Sequence, residues 1–158
     1  MTQPNTGETA PLFSLYDSDK NKINLEDYKG KNVLLLFFPF AFTSVCTKEL
    51  CSIRDNISFY NSAAAQVFGI SVDSLYVLKK FREEQGLNFL LLSDFNKEVS
   101  AAYGALYQHF PSFDYIGVSK RAAFIIDKKG IIRYAEVCAS AGDMPDFQSI
   151  QQVLTSLG

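Results

Sequence analysis

The stretch "NVLLLFFPFAFTSVCTKELC", Asn32 to Cys51, decides the reading of the chain. Its first part, Val33 to Phe38, is a continuous apolar run, as expected of a strand buried on both faces. Pro39 stands at the strand end, where a missing N–H does no harm. From Ser44 the pattern changes. Val45 and then Leu50, Ile53, Ile57 and Tyr60 predict a helix over Ser44–Ala64, with Asp55 and Asn56 on its outer face. Thr43 or Ser44 can serve as its N-cap. A buried strand thus hands the chain to a helix, and Cys46 falls in the first turn of that helix.

Working outward, "PLFSLYDSDKNKINLED" alternates apolar and polar residues around a "DSDKN" turn and reads as a hairpin. "QVFGISVD" and "NFLLLSD" read as further buried strands. Between them, "SLYVLKKFREEQGL" reads as an amphipathic helix, with Leu75, Leu78 and Phe81 on one face and Gly86 closing it. "EVSAAYGAL" predicts a short helix ending near Gly104. "RAAFIIDKKGIIRYAEV" reads as a hairpin around Asp127-Lys128-Lys129-Gly130, and "MPDFQSIQQVLTSL" as a final helix with Pro145 near its start. Alternating strands and helices imply an α/β fold: a central mixed sheet with helices on both faces and an N-terminal β-hairpin. A closing hairpin followed by a helix resembles thioredoxin-like folds.

The 158 residues suggest one domain, 1–158, long enough to bury a core without disulfide staples; no repeat or linker interrupts it. With 20% charged residues and a net charge of −2, the chain is not basic enough for nucleic acid and is not patterned for an anionic membrane. Its longest apolar run, Val33 to Phe42, is too short to span a bilayer. "MTQPNTGETAPLF" has no basic-then-apolar signal pattern. Three cysteines are an odd and sparse set, unlike a secreted disulfide framework, so the expected location is a reducing cytoplasm.

Cys46 in a first helical turn faces unpaired backbone N–H groups and the positive end of the helix dipole. Both favour the thiolate, which is the nucleophilic form. Thr43, three residues earlier, could turn its hydroxyl toward the sulfur, and the Pro39 ring could shield it from water. Each feature alone has an ordinary explanation: a core cysteine, a cap and a strand breaker. Together at a strand–helix junction they favour a catalytic cysteine. Metal binding is disfavoured, because Cys46 and Cys51 lack tight ligand spacing and His109 is the single histidine, expected as a loop side chain. That shortage also argues against a Cys–His hydrolase, and the missing Cys-x-x-Cys argues against a general disulfide reductase.

Pro39-Phe40-Ala41-Phe42-Thr43-Ser44-Val45-Cys46 resembles the P-x-x-x-T-x-x-C signature of peroxiredoxins. The resemblance covers nearly the whole chain. The wording "FPFAFTSVCTKEL" is most similar to the alkyl hydroperoxide reductase E-type branch, while the spacer from Cys46 to Cys51, followed by "SIRDN", resembles the Q-type (bacterioferritin-comigratory) branch. The resemblance implies a thiol peroxidase with Cys46 as the peroxidatic cysteine and Pro39, Thr43 and Arg121 as its partners. It implies peroxide as substrate and thioredoxin, glutaredoxin or a small thiol as reductant, with no metal or organic cofactor. Cys46 would attack a peroxide oxygen and become a sulfenic acid. Charge developing on the departing oxygen would meet the Cys46 N–H, the Arg121 guanidinium and the Thr43 hydroxyl as candidate donors. Glu49 matches a family position and is expected to hold an arginine, either Arg121 or a neighbour. Family members commonly form homodimers, and the aromatics of "FFPFAF" and "QHFPSFDY" are candidates for such a face. The rival class is a peroxide sensor or relay, in which oxidised Cys46 signals to a partner.

Cys51 is the candidate resolving residue. In an intact helix, residues five apart have Cα atoms roughly 8–9 Å apart and project about 140° from one another. A disulfide wants less than about 7 Å. If Cys51 resolves, the first turns of the helix must unwind in each cycle. Cys138, past the last strand, is the lesser candidate.

Overall fold

The computed structural model describes residues 3–158. A hairpin comes first, β1 (Ser14–Asp17) and β2 (Lys22–Asn24), followed by a 3-10 turn at Leu25–Tyr28. Then come β3 (Asn32–Phe37), α1 (Ser44–Asp55), α2 (Ile57–Ser62), β4 (Ala65–Ser71), α3 (Leu75–Gln85), β5 (Leu90–Ser93) and α4 (Glu98–Ala102). The chain ends with β6 (Leu106–Tyr107), β7 (Val118–Ser119), β8 (Ala122–Ile126), β9 (Ile132–Val137) and α5 (Phe147–Leu157). Seven strands form one sheet in the order β2-β1-β5-β4-β3-β8-β9. β3, β4 and β5 run parallel; β8 pairs antiparallel with β3, and the N-terminal hairpin adds antiparallel to the β5 side.

All six residues of β3 are buried, because the strand is central and covered on both faces. On one face Leu34 and Leu36 pack with Leu50 and Ile53 of α1, Phe81 of α3 and Ile150 of α5. On the other, Leu35 and Phe37 pack with Phe124, Val99 of α4 and Leu25 of the 3-10 turn. Truncating a side chain such as Leu36 to alanine here would cost about 2–5 kcal/mol.

The helix expected over Ser44–Ala64 is two helices. Asn56 leaves helical geometry at φ −114° and ψ 18°, and its N–H bonds back to the Ile53 carbonyl. Its side-chain Nδ2 donates to the Ser52 carbonyl at 2.8 Å, which satisfies a terminal carbonyl and closes α1. The apolar stripe continues across the break to buried Tyr60, so periodicity alone did not reveal it. Asp55 and Asn56 are exposed, as expected. α3 begins with Ser74 accepting from the Val77 N–H at 3.3 Å and stops at Gly86, whose φ of 59° suits glycine. In α5 the cap is Asp146, so Pro145 stands just outside the helix. The β6–β7 pair was not assigned from the sequence, because two-residue strands carry too little pattern to read. His109 lies between them, exposed.

The register places the chemistry. Phe37, the last residue of β3, pairs with Ala122, and Ala122 pairs with Val137. Arg121 and Cys138, the next residues outward, therefore flank the point where β3 turns toward α1. The parallel strands β4 and β5 end at the same edge, with Ser71 opposite Ser93.

Candidate active site

The loop Pro39–Thr43 joins β3 to α1. Phe42 adopts φ 68°, a left-handed conformation that a bulky residue holds only when its surroundings impose it. Its ring packs edge-on against Phe81, with centroids 5.1 Å apart. The Ala41 N–H donates to Asp73 Oδ2 at 2.8 Å. The Thr43 hydroxyl donates to the Phe40 carbonyl at 2.9 Å, and the Thr43 carbonyl accepts the Thr47 N–H at 2.9 Å to open α1. Pro39 is buried.

Thr43 occupies the cap position without a capping side-chain bond. Because a carbonyl can only accept, the Thr43 hydroxyl proton is committed to Phe40. The hydroxyl, expected as a candidate donor to the departing oxygen, cannot fill that role while it donates to Phe40. Its lone pairs remain free to accept from a peroxide O–H.

Cys46 is 1% exposed. Arg121 Nη2 stands 3.0 Å from its sulfur, and Nη1 stands 2.6 Å from Glu49 Oε1. Nε and Nη2 also donate to the Ala141 carbonyl, at 3.3 and 3.1 Å. These contacts fix the guanidinium plane and leave one Nη1 N–H without a described partner. Arg121 is 2% exposed and Glu49 is fully buried, so the pair acts in a low-dielectric setting. Burial works against the Arg121 charge, but Glu49 and Cys46 beside it outweigh that and hold its pKa up. Burial pushes Glu49 up to about 7, against the pull of Arg121 and with a further push from Glu136. Glu49 Oε2 has no hydrogen-bond partner among the described residues.

Cys51 is half-buried, and its thiol contacts Gln85 Oε1 at 3.6 Å. It does not join the Cys46–Arg121–Glu49 group, and α1 is continuous from one cysteine to the other. Cys138 is buried, its N–H donating to the Arg121 carbonyl at 2.9 Å. Burial, with Glu136 and Glu49 nearby, pushes its thiol up to about 11. Asp73 was not singled out from the sequence. Its position at the end of a buried strand, in "SVDS", is the signal that could have found it.

A buried thiol held by a guanidinium, at a strand–helix junction in a thioredoxin-like sheet, defines a thiol-based oxidoreductase. The model of the AhpC/TSA family matches residues 6–135, and the chain belongs to this family, the peroxiredoxins. It is 39% identical over 136 residues to alkyl hydroperoxide reductase E of Mycobacterium bovis, covering 84% of this chain and 85% of that one. It is 38% identical over 135 residues to peroxiredoxin Bcp of Escherichia coli, covering 85% and 86%. The crystal structure of peroxidoxin BcpB from Mycobacterium tuberculosis superposes with a TM-score of 0.84 at 27% identity, covering 97% of each chain. Both branches that the sequence resembles are thus represented at nearly equal identity. The protein is a thiol-dependent peroxidase.

Proposed function

We propose that Cys46 is the peroxidatic cysteine and that Arg121, Thr43, Pro39 and Glu49 serve it. The observation that carries this is the 3.0 Å contact between Arg121 Nη2 and the Cys46 sulfur. The guanidinium stabilises negative charge on sulfur and is held rigid by Glu49 and the Ala141 carbonyl. The thiolate attacks one peroxide oxygen along the O–O axis. An S–O bond forms, the O–O bond breaks, and the departing oxygen leaves as an anion that takes a proton to become water or an alcohol. The Nη1 N–H without a described partner and the helix-start N–H groups are the candidate donors to that charge. Thr43 accepts from the peroxide O–H and so orients it, which removes an entropic cost.

The resulting sulfenic acid is resolved by Cys51: its sulfur bonds to the Cys46 sulfur and water leaves. Unbroken helix between the two cysteines supports the view that α1 must unwind for this step. Cys138, buried and held protonated at neutral pH, is poorly suited to the attack. A dithiol such as thioredoxin or glutaredoxin, or a small thiol, then returns Cys46 to its reduced state. Exposed Phe42, Phe113, Tyr115 and Ile116 near the site support a homodimer face there; Phe40 stacks edge-on with Phe110 and Tyr115 beneath it. The sparse cysteines favour a reducing cytoplasm as its location.

Peptide mapping after one equivalent of hydrogen peroxide tests the assignment. A Cys46–Cys51 linkage, or a sulfenic acid on Cys46, supports it. Oxidation confined to Cys51 or Cys138 overturns it.

A further inference from the structure

We propose that Asp73 is a positioning residue, a latch that holds the Pro39–Thr43 loop closed over Cys46 and sets how readily oxidised Cys46 is released. This rests on Cys46 as the peroxidatic cysteine but not on which thiol resolves it. Among the described residues, the bond from the Ala41 N–H to Asp73 Oδ2, 2.8 Å, is the one hydrogen bond by which this loop reaches another part of the chain. The Thr43–Phe40 bond lies within the loop, and the Thr43–Thr47 bond only begins α1.

The latch is itself anchored from two strands. Ser71 Oγ, at the end of β4, donates to the same Oδ2 at 2.7 Å and accepts from the Asp73 N–H at 3.2 Å. Ser93 Oγ, across from Ser71 at the end of β5, donates to the Asp73 carbonyl at 2.6 Å. Asp73 is thus tied to the edge of the sheet and presents one carboxylate oxygen to one backbone N–H of the loop. Ala41 is buried and shares a core cluster with Cys46, so its N–H has no solvent alternative while the loop is closed. The next residue, Phe42, holds its left-handed conformation only while the loop is constrained.

The closed loop does two opposed things. It keeps Cys46 against Arg121 for attack on peroxide, and it keeps the sulfenic acid buried from any incoming nucleophile. Removing the latch therefore slows the first reaction and speeds the second. A structural defect elsewhere has no reason to split them.

The test uses the chain carrying Cys51→Ser and Cys138→Ser, so that Cys46 is the sole thiol. Quenched-flow mass spectrometry follows two rates at saturating or excess reagent: oxidation by hydrogen peroxide, and capture of the sulfenic acid by dimedone. In the capture step a carbon–sulfur bond forms and water leaves. With Asp73→Ala added, oxidation is expected to slow about tenfold and capture to quicken about tenfold, the size of one lost hydrogen bond. Asp73→Asn keeps an acceptor oxygen and should restore both rates to within about twofold. Should Asp73→Ala not fold, Ser71→Ala, which frees the carboxylate to swing away, is expected to move both rates in the same opposed directions. Tyr103→Phe, which removes the hydroxyl bond to the Pro11 carbonyl on the far face of the sheet, should move neither. The latch is overturned if Asp73→Ala leaves both rates at the parent values, or shifts both the same way. Failure of the parent protein to form any adduct at Cys46 would instead overturn the Cys46 assignment, and the latch with it.

Discussion

The guanidinium of Arg121 stands 3.0 Å from the sulfur of Cys46, and a second nitrogen of the same group stands 2.6 Å from Glu49. One planar cation therefore contacts the Cys46 sulfur and its own carboxylate anchor together. Lysine offers a single point of charge and cannot span both. Arg121→Lys is expected to slow the reaction with peroxide by about a hundredfold, comparable to losing an oriented donor elsewhere. Competition against a haem peroxidase for limiting hydrogen peroxide gives the rate; an unchanged rate would remove Arg121 from the site.

Glu49 is a buried acid raised to about 7 by desolvation despite its arginine partner. In the unfolded chain it titrates near 4.5. The folded state thus prefers the protonated form, so this stability is fully present below about 4.5 and is lost as pH rises toward about 7. Denaturant titrations across that window should show stability falling with pH in wild type. Glu49→Gln should flatten this component of the slope, because the amide cannot ionise. The same variant loosens Arg121 and should slow peroxide consumption more than it lowers the melting temperature. Equal activity, together with an unaltered pH slope, would show that Glu49 neither titrates there nor holds Arg121.

Thr43 donates to the Phe40 carbonyl inside the loop that delivers Cys46. Thr43→Val keeps the shape and removes both that bond and the acceptor that would orient peroxide. The expected result is at least about a tenfold loss in the peroxide reaction, from one hydrogen bond of roughly 1 kcal/mol plus misorientation. Thr43→Ser keeps the hydroxyl and should retain most of the rate. If valine and serine behave alike, the hydroxyl has no role.

Cys46 and Cys51 lie in one unbroken helix, and their bond requires that helix to open. Hydrogen exchange on wild-type protein treated with one equivalent of peroxide should show lost protection over residues 46–51. Cys51→Ser treated the same way should keep it. Retained protection in oxidised wild type would mean that another thiol resolves Cys46.

The strand–helix junction was legible because a fully apolar strand and a helical repeat meet at a proline, and each pattern is strong alone. The sheet and both hairpins followed from patterned runs, among them the five residues Ala122–Ile126. Three features escaped. The break at Asn56 preserves the apolar stripe on both sides, so only its side-chain bond to Ser52 marks it. The β6–β7 pair is too short to show alternation. Asp73 acts through a backbone N–H of another loop, and no sequence spacing encodes a contact made across 32 residues. Cys46 and Arg121 stand 75 residues apart, and it was the family motif, not periodicity, that joined them before the register of β3 with β8 did.

The most direct test of the central claim is the second-order rate constant for hydrogen peroxide, measured by competition because the chain has no tryptophan to report oxidation. Wild type is compared with Cys46→Ser and Cys51→Ser, each pre-reduced. Cys46→Ser should lose roughly a thousandfold or more, since the oriented donors then have no thiolate to serve. Cys51→Ser should keep the wild-type constant for this first step. A Cys46→Ser protein that still consumes peroxide at the wild-type rate would contradict the account.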